Sequence, residues 1–256
     1  MTCQLVTRDL FARYGSQTVL ESVSLTFQPG RLTGIIGPNG SGKSTLLRIL
    51  AGLKAPCSGT VQVVSRNPDR ILPVPHPSLA RILAFLPQSV RWEFSLTVRQ
   101  LVALGRFPFG NLFGRLSAAD DRIVEQAVQS VGLENLIDQS LDCLSGGEQQ
   151  RAQLAACFAQ EPRVLLLDEP TNHLDWGQIR RLMQLLVQFR SNGSNPGQNP
   201  DQELRTVVGI FHDLDAVRSY CNTIVCLKSG RVRAQGDPKE LLTPEFVEEL
   251  YLSRDS

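Results

Sequence analysis

The run Gly37-Pro38-Asn39-Gly40-Ser41-Gly42-Lys43-Ser44 constrains this chain more than any other stretch. It fits the pattern G-x-x-x-x-G-K-S/T, which grips phosphates only when a strand precedes it and a helix follows. Both neighbours read that way. Leu32-Thr33-Gly34-Ile35-Ile36 is a short apolar run suited to a buried strand, and Lys43 to about Leu53 carries a helical pattern. The glycines let the backbone curl with its N–H groups inward, where side chains would keep phosphate oxygens away. The following helix turns its positive end toward the anion. Lys43 supplies a point charge for the β- and γ-phosphates, and the Ser44 hydroxyl is a ligand for Mg²⁺, which prefers oxygen donors. Thr45 closes the expected nucleotide-binding stretch.

A second signal lies in Val164-Leu165-Leu166-Leu167-Asp168-Glu169, an apolar strand that ends in two carboxylates. In a parallel sheet, ligands gather at the carboxyl ends of strands, so this pair is expected at the same edge as the glycine turn. Asp168 would hold the metal through its water shell, and Glu169, directed elsewhere, would polarise an attacking water.

The remainder of the chain is consistent with that frame. Leu5 to Phe27 reads as antiparallel strands turning at Tyr14-Gly15-Ser16. Helical patterns fill 88–141, notably Val98 to Leu104 and Asp120 to Val131. Helices at Ser145–Gln160, Gly177–Phe189 and Ala216–Cys221 then alternate with strands at Val164–Leu167 and Thr206–Ile210, which implies a parallel sheet. The expected fold is therefore α/β: a mostly parallel core with an antiparallel β subdomain over 1–87 and 142–256, and a helical subdomain inserted at 88–141, in one domain of 256 residues. Ser191 to Gln202, rich in Ser, Asn, Gly, Pro and Gln, reads as a surface loop. A net charge of +1 excludes the cationic surplus that phosphate-backbone binding needs. No window approaches the ~20 apolar residues of a membrane helix, and Met1 to Asp9 lacks a leader pattern, so a cytoplasmic location is expected. The six cysteines show no metal-ligand spacing and are expected to be reduced, mostly packing thiols.

Leu144-Ser145-Gly146-Gly147-Glu148-Gln149-Gln150-Arg151 matches the signature sequence of ABC ATPases nearly letter for letter. From Leu5 to Leu242 the chain resembles the nucleotide-binding subunit of an ABC transporter. That resemblance implies further roles: Tyr14 stacks on adenine, Gln88 reaches Mg²⁺ and the attacking water, and His212 contacts the γ-phosphate. In Asn172-His173-Leu174-Asp175, Asp175 links two active sites across a dimer. Ser145 and Gly147, with Gly146 between them, bind the γ-phosphate held by an opposite copy, so ATP is expected to join two chains.

Leu96 to Val102, Ala103 to Phe109, and His173-Leu174-Asp175 followed by Gln178 resemble the importer subgroup that serves iron chelates, haem and cobalamin; Phe109 and Asn172 depart from its usual lettering. The resemblance implies ATP hydrolysis at the cytoplasmic face of a membrane, driving a separate permease fed by an extracytoplasmic substrate-binding protein. An ABC ATPase working without transport, on ribosomes or DNA, or one serving another cargo, is the alternative.

Overall fold

A computed structural model describes residues 3–66, 69–88, 95–110, 116–172, 174–191 and 204–252. His173 and most of the expected surface loop, 192–202, lie outside the described residues.

The chain opens with a hairpin of β1 (Cys3–Tyr14) and β2 (Gln17–Phe27), turning where Tyr14 pairs with Gln17. Strand β3 (Leu32–Ile36) runs into the glycine turn and α1 (Lys43–Leu50). That helix stops short of the expected Leu53 for a local reason. Gly52, at φ 73, lets its own N–H bond the Ile49 carbonyl while the N–H of Leu53 reaches Arg48, a left-handed closure that uses up the last carbonyls. Strands β4 (Ser58–Arg66) and β5 (Asp69–Pro73), absent from the sequence reading, complete an antiparallel sheet in the order β2-β1-β4-β5.

After β6 (Leu83–Leu86) come α2 (Val98–Leu104), α3 (Ala118–Ser130) and α4 (Gly146–Ala159). The chain then alternates through β7 (Val164–Leu167), α5 (Trp176–Arg190), β8 (Thr206–Ile210) and α6 (Leu214–Tyr220). It ends with the hairpin β9 (Thr223–Lys228) and β10 (Arg231–Gly236), then α7 (Pro238–Leu241) and α8 (Pro244–Tyr251). The second sheet has the order β10-β9-β3-β8-β7-β6, with β9, β3, β8, β7 and β6 joined in parallel and β10 antiparallel at its edge.

The parallel strands are mostly apolar because both their faces are covered, with Thr33, Thr206 and Lys228 as buried polar exceptions. Ile35, Leu166, Val208 and Ile210 face a core shared with α1 and the antiparallel sheet. Ile36, Leu165, Leu167 and Val207 face the other side, against α5, α6 and the closing helices. Cys157, Cys221 and Cys226 pack on this second side, where burial pushes each thiol up to about 12.

A third core joins Val98 and Val102 of α2, Val124 and Val128 of α3, and Ala152, Ala155 and Ala159 of α4. Helix α4 divides its surface: Leu154 and Cys157 point into the sheet's core and the alanines into the helical one. At the end of the chain, α8 lies behind the glycine turn. Lys228 Nζ donates to the Glu249 carbonyl at 2.6 Å, and the Tyr251 phenol hydrogen-bonds to the backbone of Gly37. No helix among the described residues is long and apolar enough to cross a membrane.

Candidate functional site

The glycine turn is shaped by close approach. Gly37 sits at φ 145, and a Cβ there would lie 1.9 Å from the Leu227 carbonyl, so no larger residue fits without moving β9. Lys43 is 5% exposed, and its ammonium donates to the carbonyls of Gly37 at 2.8 Å and Pro38 at 2.9 Å. Burial lowers its pKa while the charges of Glu169 and Asp168 pull it back up. Ser41, 2% exposed, has a hydroxyl with no hydrogen-bond partner among the described residues. A buried orphan of this kind costs free energy until an oxygen acceptor arrives. Helices α2, α3, α4 and α5 are each capped by a side chain, from Thr97, Ser117, Ser145 and Asp175. Helix α1 starts at Gly42 without one, which leaves its first N–H groups for a ligand.

The acidic pair arrives from β7, between β8 and β6. Asp168, 2% exposed, accepts from the Ser44 hydroxyl at 3.1 Å. Burial raises its pKa, Glu169 adds to the rise, and the Ser44 hydrogen bond with the charges of Arg48 and Lys43 opposes it. Glu169 takes φ 52, in the left-handed region, and so turns its side chain away from that of Asp168. Its carboxylate is a hub: Gln88 Nε2 donates to Oε2 at 2.7 Å, Asn172 Nδ2 donates to the same oxygen, and His212 Nε2 lies 2.9 Å from Oε1. Burial disfavours the charged form, but the His212 and Asn172 hydrogen bonds, with the charges of His212 and Lys43, outweigh it and hold this carboxyl below its ordinary value. Gln88 follows β6, Glu169 follows β7 and His212 follows β8, so one sheet edge delivers all three.

Two contacts were not legible in the sequence. Asn172 reaches Glu169 because the chain turns back on itself there, with the Asn172 N–H on the Glu169 carbonyl at 3.2 Å; the only sequence signal is a spacing of three residues. Lys54, beyond the end of α1, sets its ammonium 3.9 Å from the centre of the Tyr14 ring. Tyr14 itself stands at the hairpin tip, 48% exposed.

The expected residues around α4 form a separate group. Ser145 caps the helix, accepting from the Glu148 N–H and donating its hydroxyl to the Glu148 carboxylate at 2.6 Å. A Cβ at Gly146 would meet nothing within 4 Å, whereas one at Gly147 would lie 2.6 Å from Gln178 Nε2. Gln178 in turn closes a capping box with Asp175 at the start of α5. Among the described residues, no hydrogen bond or ion pair joins Ser145, Gly146 or Gly147 to the glycine turn. Within one chain the two groups stay apart.

A family profile described as ABC transporter matches residues 20–172. The ferric enterobactin transport ATP-binding protein of Escherichia coli is 38% identical over 239 residues, covering 93% of this chain and 83% of that protein. The hemin import ATP-binding protein of Rhizobium meliloti is 37% identical over 251 residues, covering 95% and 89%. Among solved structures, a chain of a metal-chelate type ABC transporter in an inward-facing conformation superposes with a TM-score of 0.80 at 26% identity, over 98% of this chain and 89% of that one.

Proposed function

The chain belongs to the ABC transporter family as an ATP-binding, ATP-hydrolysing member, and from that premise we propose that it powers uptake of a metal chelate through a separate membrane permease. The cargo class, iron-siderophore, haem or cobalamin, is supported by relatives that carry those names along nearly the whole chain. An extracytoplasmic binding protein would present the cargo, and this subunit would sit at the cytoplasmic face of the membrane, held by its partner.

The observation that carries the hydrolytic reading is the Glu169 carboxylate with its three donors. In the proposed reaction Lys43 neutralises the β- and γ-phosphates, and Glu169 polarises the water that attacks the γ-phosphorus. Gln88 and His212 fix the direction of that carboxylate and the water, and His212 also meets the γ-phosphate. Ser44, Asp168 and Gln88 offer the hard oxygen donors that suit Mg²⁺, and when bound the ion would neutralise charge on the phosphate oxygens. The glycine turn from Gly37 to Thr45 wraps the phosphates, and Tyr14 stacks on the base.

Ser145, Gly146 and Gly147 are assigned to the nucleotide of a second copy, where the first N–H groups of α4 meet the γ-phosphate. Asp175 lies next to that contact through Gln178. Each site is then completed by its partner, and loss of the γ-phosphate releases the pair. The helical part, with α4 as its link to the sheet, is proposed to move as the pair opens.

Glu169→Gln tests this directly. The variant is expected to bind ATP, to lose about a hundredfold or more of its phosphate-release rate, and to elute from gel filtration as an ATP-dependent dimer. Normal turnover would remove Glu169 from the role of base. For the partner, co-purification with a polytopic membrane protein supports the importer reading, and recovery of ribosomes or DNA alone would overturn it.

A further inference from the structure

We infer that Lys54 is a positioning residue for the nucleotide base, acting through Tyr14; this rests on the proposed stacking role of Tyr14 and deepens it. Tyr14 closes β1 at a two-stranded tip, and a half-exposed ring on such a turn has no rigid orientation of its own. The ammonium of Lys54 supplies one. At 3.9 Å from the ring centre it is well inside the range at which a cation is held by an aromatic face.

Two further features give this contact a purpose. Lys54 stands just after the left-handed turn at Gly52 that ends α1, and α1 begins at Lys43 on the phosphate turn. The contact therefore ties the hairpin tip to the same short helix that grips the phosphates, fixing the base platform at a set distance from the triphosphate. In addition, Lys54 makes no ion pair or hydrogen bond with any described residue, so the ring is the contact its charge has. With one face of Tyr14 covered by the cation, only the opposite face remains for a planar base.

The consequence separates base from phosphate. Lys54→Met keeps the aliphatic stem and removes the charge. Affinities would be measured by equilibrium dialysis in EDTA, with ATP and with inorganic tripolyphosphate as probes, for the parent, Lys54→Met, Lys54→Arg, Tyr14→Ala and the double variant Tyr14→Ala/Lys54→Met. Lys54→Met is expected to weaken ATP about threefold, the scale of an exposed cation–ring contact, while tripolyphosphate binds as before. Lys54→Arg is expected to restore ATP binding, and the Met change is expected to add nothing once Tyr14 is gone. An equal loss for both probes would make Lys54 a phosphate contact and overturn the proposal. So would unchanged ATP affinity in Lys54→Met, or a full loss that persists without Tyr14. If Tyr14→Ala alone leaves ATP affinity intact, the stacking role itself fails, and the inference with it.

Discussion

Glu169 occupies a backbone region that costs a non-glycine residue about 1 kcal/mol, and the expenditure purchases direction. It directly follows Asp168 in the chain, yet the two carboxylates meet different partners, Ser44 for one and Gln88, Asn172 and His212 for the other. Removing a donor from this hub is expected to loosen the carboxylate without touching the phosphate grip. Asn172→Ala should therefore lower phosphate release about tenfold, the scale of lost support to a site group, with ATP affinity kept; parental turnover would show that Gln88 and His212 suffice. Lys43, Ser44, Asp168 and Glu169 were legible because their chemistry demands fixed spacing beside a strand or helix. Gln88 and His212 became visible only through the family pattern, since a lone Gln or His after a strand carries no signal. Asn172 and Lys54 touch their partners through loop geometry, which spacing does not encode.

Helix ends illustrate what patterning can and cannot reveal. The starts of α2, α3, α4 and α5 fall at Thr, Ser or Asp caps that the sequence displays openly. Helix α4, however, is buried on two sides and carries no single apolar stripe, so its share in the helical core is not legible from periodicity. Strands β4, β5, β6, β9 and β10 are not among those the sequence pattern predicts.

Arg106 fastens that helical core. Its side chain is 6% exposed, and the guanidinium donates to Asp120 at 2.9 Å, to Glu161 at 2.9 Å and to the Ala159 carbonyl at 2.8 Å, and lies over the Phe109 ring. Hydrogen bonds from Ser117, then from Arg106, hold the Asp120 carboxyl at about 2, against burial and below its ordinary 3.8. Because the folded value is the lower one, this carboxylate's contribution is fully present above its unfolded pKa and is lost as pH falls through about 2. Asp120→Asn is expected to cost about 3 kcal/mol near neutrality, as for a broken buried pair. The gap to the parent should narrow as the solution is acidified through that window, followed by urea midpoints. A gap that stays constant with pH would mean that the cost does not come from the charge of the Asp120 carboxylate.

At the scale of the whole molecule, the two halves of the proposed nucleotide site lie on one chain without meeting among the described residues. Gly146 makes the division testable, because a side chain added there meets nothing within its own chain. Gly146→Ala is expected to leave the melting temperature unchanged or slightly raised, since alanine favours the helix. In the Glu169→Gln background the same change should weaken the ATP-dependent dimer roughly tenfold, the scale of one disturbed charge-assisted contact, as read by sedimentation. An unaltered dimer would place the second copy's contact elsewhere.

The closing helix carries a practical lesson for anyone handling this protein. Tyr251 and the Glu249 carbonyl press on Gly37 and Lys228, directly behind the triphosphate grip. An affinity handle or fluorophore joined beyond that helix would be attached close to residues that touch the glycine turn, so rates recorded with such a fusion should be compared with those of the unfused protein.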